Sequence, residues 1–131
     1  MSKIPGTREL KTYTADYSFA VDGGAISAIP LRSPDGPIPS GSYILEAFME
    51  VTTGFTTGTA ATAALSVEAA NDLQTATLVS GAPYSTTGIK ALVPVFTAAT
   101  MIKTTAERSP TITIATGTVT AGVLHLVIFY V

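Results

Sequence analysis

Hydrophobic and polar residues alternate at a period of two through most of this chain, and that period predicts β-strands. From Lys11 to Val21 the apolar positions are Tyr13, Ala15, Tyr17, Phe19 and Val21, with Thr12, Thr14, Asp16 and Ser18 between them. The pattern predicts a half-buried strand, closed by the turn signal Asp22-Gly23-Gly24. Ala25 to Arg32 predicts a second strand. Residues 33–41 (Ser-Pro-Asp-Gly-Pro-Ile-Pro-Ser-Gly) must form a loop, because three prolines fix φ and remove amide donors. Tyr43 to Thr53 is the strongest strand of the first half. Its alternation puts Tyr43, Leu45, Ala47, Met49 and Val51 on one face, and Ile44, Glu46, Phe48, Glu50 and Thr52 on the other.

Further strands are predicted over Thr62–Glu68, Thr75–Val79, Ile89–Val95 and Met101–Thr105, with a helical turn over Ala69–Leu73 and turns at Gly54–Gly58 and Glu107–Pro110. The C-terminal stretch predicts two strands around a Gly/Thr turn. In the first, Ile112 and Ile114 oppose Thr111 and Thr113. The second is apolar on both faces: Leu124, Leu126, Ile128 and Tyr130 on one, Val123, Val127, Phe129 and Val131 on the other, broken only by His125. Such a strand is central in a sandwich or covered by a second chain. Val127, Phe129 and Val131 are therefore candidates for a core or oligomer interface.

No segment holds a helical apolar stripe for three turns, and no repeat of 20–50 residues is present. Eight or nine short strands in one small domain imply an all-β, two-sheet antiparallel sandwich of jelly-roll type. The expected organisation is an extended N-terminal arm over residues 1–11 and a single β-sandwich over residues 12–131.

Composition sharpens this picture. The chain has 131 residues and only 12% of them are charged, about half the usual share for a soluble domain. Mean hydropathy is +0.44. Much of the surface is therefore expected to be covered in the working state, by copies of the chain or by a larger assembly. There is no cysteine and no tryptophan, which excludes disulfides and thiolate metal sites and removes the commonest aromatic anchor. The start of the sequence has no apolar core of a secretory signal, and no apolar run reaches the roughly 20 residues of a membrane helix. Synthesis in the cytoplasm and no membrane partner are the expectation.

Net charge is −2, so no basic field recruits nucleic acid. The charges are unevenly spread. Lys3, Arg8 and Lys11 lie in the first eleven residues, a candidate docking arm for an acidic neighbour. Between Arg32 and Lys90 there is no basic residue, while Asp35, Glu46, Glu50, Glu68 and Asp72 fall there.

Candidate chemistry is sparse. His125 is the sole histidine, and one histidine cannot make a zinc site. As the base of a triad it would need Asp16, Asp22, Asp35 or Asp72 as orienter and a serine nucleophile, and no Gly-x-Ser-x-Gly elbow exists. Glu46 and Glu50 lie about 13 Å apart on an extended strand, at ~3.3 Å per residue, too far for paired glycosidase carboxylates. Asp22-Gly23-Gly24 and Asp35-Gly36 lack the ligand density of a calcium loop. No phosphate-binding loop, dinucleotide fingerprint or zinc ribbon is present. The residues argue against an enzyme and imply no cofactor and no metal.

Three segments carry a family resemblance: Glu50-Val-Thr-Thr-Gly-Phe-Thr-Thr-Gly-Thr59, the strand leading to Ala70-Asn71-Asp72-Leu73, and Pro110 to Val131. They resemble small virion proteins of tailed bacteriophages, in particular head decoration (cement) proteins with a jelly-roll sandwich. The resemblance spans residues 43–131 and rests on turn and strand signatures. It implies a structural protein that binds the major capsid protein and stabilises the assembled capsid from outside, as a homotrimer, with no catalytic residues. The alternative is a tail- or fibre-associated virion protein that binds a receptor or glycan, with Tyr13, Tyr43 or Tyr84 as the aromatic platform. A soluble carbohydrate-binding module is a third reading, weakened by the missing tryptophan.

Overall fold

The computed structural model describes residues 9–131. Its strands are β1 (Lys11–Ser18), β2 (Ser27–Pro30), β3 (Tyr43–Thr57), β4 (Thr62–Ser66), β5 (Gln74–Leu78), β6 (Gly88–Val95), β7 (Ile102–Lys103), β8 (Thr111–Ala115) and β9 (Val119–Tyr130), with one helical turn, α1 (Phe19–Asp22). They form two antiparallel sheets. The front sheet runs β1-β9-β3-β6, with β7 also on β3; the back sheet runs β2-β8-β4-β5. The pairs β1·β9, β2·β8, β3·β6 and β4·β5 are those of an antiparallel ribbon rolled up on itself. That interleaving of early and late strands is the jelly-roll arrangement expected from the sequence.

The core lies between the sheets. From the front come Tyr13, Tyr17, Ile44, Met49, Leu124, Leu126 and Ile128; from the back come Leu65, Ile112 and Ile114, all buried. Each such side chain contributes about 1.5–3 kcal/mol of burial. Tyr17 stacks on Phe55 with centroids 5.6 Å apart, and Phe55 meets Tyr84 at 5.4 Å. Aromatic pairs at these separations add to their area burial.

Two glycines let the long strands run past the positions where turns were expected. At Gly54 a Cβ would sit 2.6 Å from the Ser85 carbonyl oxygen, and the next amide, Phe55 N, donates to Tyr84 O at 2.9 Å. A side chain there would block that contact, so β3 continues to Thr57 rather than turning at Gly54. Gly122 has φ +148, and a Cβ on it would lie 2.6 Å from the Phe55 ring. β9 passes through it and begins at Val119.

Other boundaries also differ. β1 ends at Ser18, because the Asp22 carboxylate accepts the Ser18 amide at 2.9 Å and closes a helical turn. Tyr17 Oη donates to Gly23 O at 2.6 Å and holds that turn down. Phe19 and Val21 keep the strand period in sequence but stand exposed on this turn. In β3 the register with β9 shifts between Ile44 and Glu46. This bulge turns Ile44 inward with Ala47, Met49 and Val51, and leaves Tyr43 exposed and Leu45 half-buried. One extra residue thus reverses the face expected for the start of the strand. Ala69–Leu73 is a tight turn closed by the Asp72 carboxylate, which accepts the amides of Val67, Glu68 and Ala69.

No helix among the described residues is long and apolar enough to cross a membrane.

Candidate functional site: the outer face of the front sheet

Cross-strand register fixes what the front sheet presents outward. Three rows run across it: Thr12–Phe129–Glu46–Val95, Thr14–Val127–Phe48–Ala91, and Asp16–His125–Glu50–Ile89. Each row crosses β1, β9, β3 and β6 in that order. The middle of this face is apolar. Phe48 and Phe129 pack ring against ring at 6.1 Å, and both remain half-exposed, as does Val127. Toward the edge, β6 turns Leu92 and Pro94 inward and shows Ile89, Ala91, Val93 and Val95 to solvent. Ile89 is 71% exposed and Phe96, just after β6, is 61% exposed. Phe96 has φ 64, an outlying conformation for a bulky residue, and its amide donates to Leu45 O at 2.8 Å.

The structure also separates the acidic residues by task. Asp35 accepts the Thr14 amide at 3.0 Å, Asp72 caps its turn, and Asp22 binds Arg32 Nε at 3.0 Å. Glu68 holds Arg108 through Nε at 2.8 Å and Nη2 at 3.1 Å, and accepts from Thr105. These hydrogen bonds, the Arg108 guanidinium first, lower the Glu68 carboxyl to about 2. Glu46 and Glu50 differ: among the described residues their carboxylates make no hydrogen bond or ion pair, and both are exposed. They bracket Phe48 on one strand face.

Each lysine and arginine among the described residues already has an intramolecular contact. Arg32 and Arg108 sit on Asp22 and Glu68. Lys11 Nζ lies 5.8 Å from the Tyr130 ring centroid and Lys103 Nζ lies 5.5 Å from that of Tyr43. Lys90 Nζ donates to Thr86 Oγ1 at 2.8 Å. The three rows hold carboxylates and a histidine, and the cations of this face stand at its margins: Arg32 beside Asp16 at the β1 edge and Lys103 beside Tyr43 on β7. The back sheet contrasts with this. β2, β4, β5 and β8 contain no charged residue, and β4 and β8 show Thr62, Ser66, Thr111, Thr113 and Ala115 on their outer side, with Ala64 buried among them.

His125 Nδ1 contacts the Asp16 carboxylate, its neighbour across β1, and faces Glu50 across β3. The structure therefore pairs one of the four candidate orienters with the histidine. No serine or threonine hydroxyl joins them among the described residues, and no cluster there is arranged to hold a metal.

The other sequence-derived candidates fall as follows. Val127 and Phe129 lie on the apolar outer face. Val131 follows β9 and exchanges backbone hydrogen bonds with Tyr43 at 2.9 and 3.0 Å. Lys11, assigned from sequence to the extended arm, is the first residue of β1 and pairs with Tyr130. Lys3 and Arg8 lie outside the described residues. The aromatic platform is corrected: Tyr13 and Tyr84 are fully buried in the core, and only Tyr43 reaches solvent. Tyr13 spends its hydroxyl on Gly36 O at 2.6 Å. Sequence reasoning missed the contribution of β6, because its apolar alternation reads as a core-facing strand whichever face is open.

No protein-family model matches the chain, and no curated protein matches it. Solved structures do. A chain of the capsid of Ralstonia phage GP4 matches with TM-score 0.64 and 19% identity over 100% of this chain and 90% of that one. A chain of the cyanophage Pam1 capsid asymmetric unit matches with TM-score 0.60 and 17% identity over 99% of this chain and 91% of that one. A chain of the acidic stable capsid of Helicobacter pylori bacteriophage KHP30 matches with TM-score 0.62 and 10% identity over 92% of this chain and 86% of that one. At these identities the likeness is one of fold, over nearly the full length of each chain.

Proposed function

We propose that this chain is a structural virion protein of a tailed bacteriophage, which binds the assembled head from outside and stabilises it as a decoration (cement) protein. The observation that carries this reading is the end-to-end fold likeness to chains from three phage capsids. The surface supports it. An apolar outer face with free carboxylates on one sheet, and a charge-free face on the other, suit a protein whose surface is covered in use. The tail or fibre reading loses its aromatic platform, since two of its three tyrosines are core residues.

Its mechanism is mass action. A protein that binds only the assembled shell lowers the free energy of that state by its binding free energy. Many copies on one particle sum modest affinities, and a homotrimer multiplies the effect by avidity. The work is done by the major capsid protein and copies of this chain, with no cofactor and no turnover. Lys3 and Arg8 extend the contact as a basic arm.

Cosedimentation of the purified chain with heads assembled without it tests the reading, with its oligomeric state measured by light scattering. Saturable binding at a fixed ratio to the major capsid subunit is expected, with a trimer in solution. Absence of binding to any head would refute it.

A further inference from the structure

Resting on that reading, we propose that the outer face of the front sheet is the surface that meets the shell, and that it takes an apolar strip flanked by lysine or arginine. The back sheet is not the docking surface.

Phe48, Phe129 and Val127 form the centre of the outer face, and Val93 and Val95 extend it along β6. Half-buried aromatics within an open apolar field are the residues that become anchors when a partner excludes water. Their position over the middle of the front sheet, rather than at a loop tip, gives them a rigid base.

Charge then selects the partner. Glu46 and Glu50 are strand-borne carboxylates with no hydrogen bond or ion pair among the described residues. They stand on either side of Phe48, and the two cations of this face lie at its margins and are already engaged, Arg32 beside Asp16 on the Asp22 carboxylate and Lys103 over the Tyr43 ring. A second copy of the same face, packed about a two-fold axis, would bring Glu46 and Glu50 toward their own counterparts. Like charges across a closing interface oppose it, so the face is mismatched to itself. A strip with cationic side chains on both flanks of an apolar centre gives each carboxylate a partner and leaves no charge stranded. Asp16, Asp22, Asp35, Glu68 and Asp72 are engaged by His125, Arg32, Arg108 or backbone amides, so the free carboxylates of the strands concentrate on this face.

The test compares the native chain, E46K/E50K and the back-sheet variant T113K in cosedimentation with heads assembled without the chain, at low and high salt. All three side chains point away from the core, and circular dichroism checks that the variants fold. The expected result is native binding that weakens with salt, at least a roughly 10-fold loss for E46K/E50K, and unchanged binding for T113K. Native affinity in E46K/E50K, or an equal loss in T113K, would overturn the inference while leaving the decoration reading standing. A native chain that binds no head would overturn that reading, and this inference with it.

Discussion

Replacing Tyr84 with phenylalanine should make the protein more stable. The Tyr84 ring is fully buried and packs on Phe55 at 5.4 Å. Its hydroxyl oxygen has no hydrogen-bond partner among the described residues, and burial pushes its pKa well above the ordinary tyrosine value. A buried hydroxyl without a partner costs about 1–3 kcal/mol of desolvation. Phenylalanine keeps the ring and removes that cost, less the few dispersion contacts of the oxygen. The expected gain is about 1 kcal/mol. For 131 residues, at ~2.1 cal/mol/K of unfolding entropy each, that is a rise of about 4 °C in Tm. Tyr17→Phe is the matched contrast, because Tyr17 Oη donates to Gly23 O at 2.6 Å. Its removal orphans a carbonyl and should cost about 1 kcal/mol. Urea unfolding of the two variants beside the native chain, with the m value held constant, reads both. A loss of 1 kcal/mol or more in Tyr84→Phe would refute the reasoning, since it would mean that the hydroxyl is hydrogen-bonded in the folded state.

Three other expectations follow from the same structure. Glu68 is held at about 2 against an ordinary value of 4.5, so it binds fewer protons folded than unfolded; its contribution is present above 4.5 and lost as pH falls toward 2. Glu68→Gln should therefore flatten the decline of urea midpoints across that window, and an unchanged acid limb would count against the Arg108 pairing. Gly122→Ala forces a Cβ to 2.6 Å from the Phe55 ring at φ +148, so a loss of roughly 3 kcal/mol is expected in urea unfolding; a near-neutral result would contradict the close approach. Removing residues 1–8 should leave the circular dichroism spectrum intact and weaken attachment to heads, while equal occupancy would sink the docking arm.

Much of the fold was legible because the strand period is strong where one face of a sheet is buried. Tyr13, Ala15 and Tyr17, or Ile112 and Ile114, announce their inward side without help. The same period misled where it ran on by coincidence: Phe19 and Val21 continue the alternation of β1, yet the Asp22 carboxylate captures the Ser18 amide and turns the chain. The bulge at Leu45 was invisible because a single inserted residue leaves local composition unchanged while reversing the facing side. Gly54 read as a turn, and only the neighbouring Tyr84–Ser85 segment reveals it as a point of close approach.

The candidate site was half legible. The apolar second face of β9 identified Val127 and Phe129 directly. What the chain order hides is lateral placement: β6, β3 and β9 meet only through long-range pairing, so the patch of Phe48, Val93 and Val95 beside Phe129 could not be assembled from local pattern. Nor could the acidic run between Arg32 and Lys90 be divided into structural and available carboxylates. That division depends on Arg108 reaching Glu68 across forty residues of sequence.

A cryo-electron microscopy reconstruction of heads with and without this chain decides whether it decorates the shell. Additional density is expected on the outer surface of the shell that fits the β-sandwich, recurs with the symmetry of the capsid lattice, and disappears when the chain is omitted. Identical shells in the two reconstructions, or density for the sandwich confined to the tail, would contradict a decoration role.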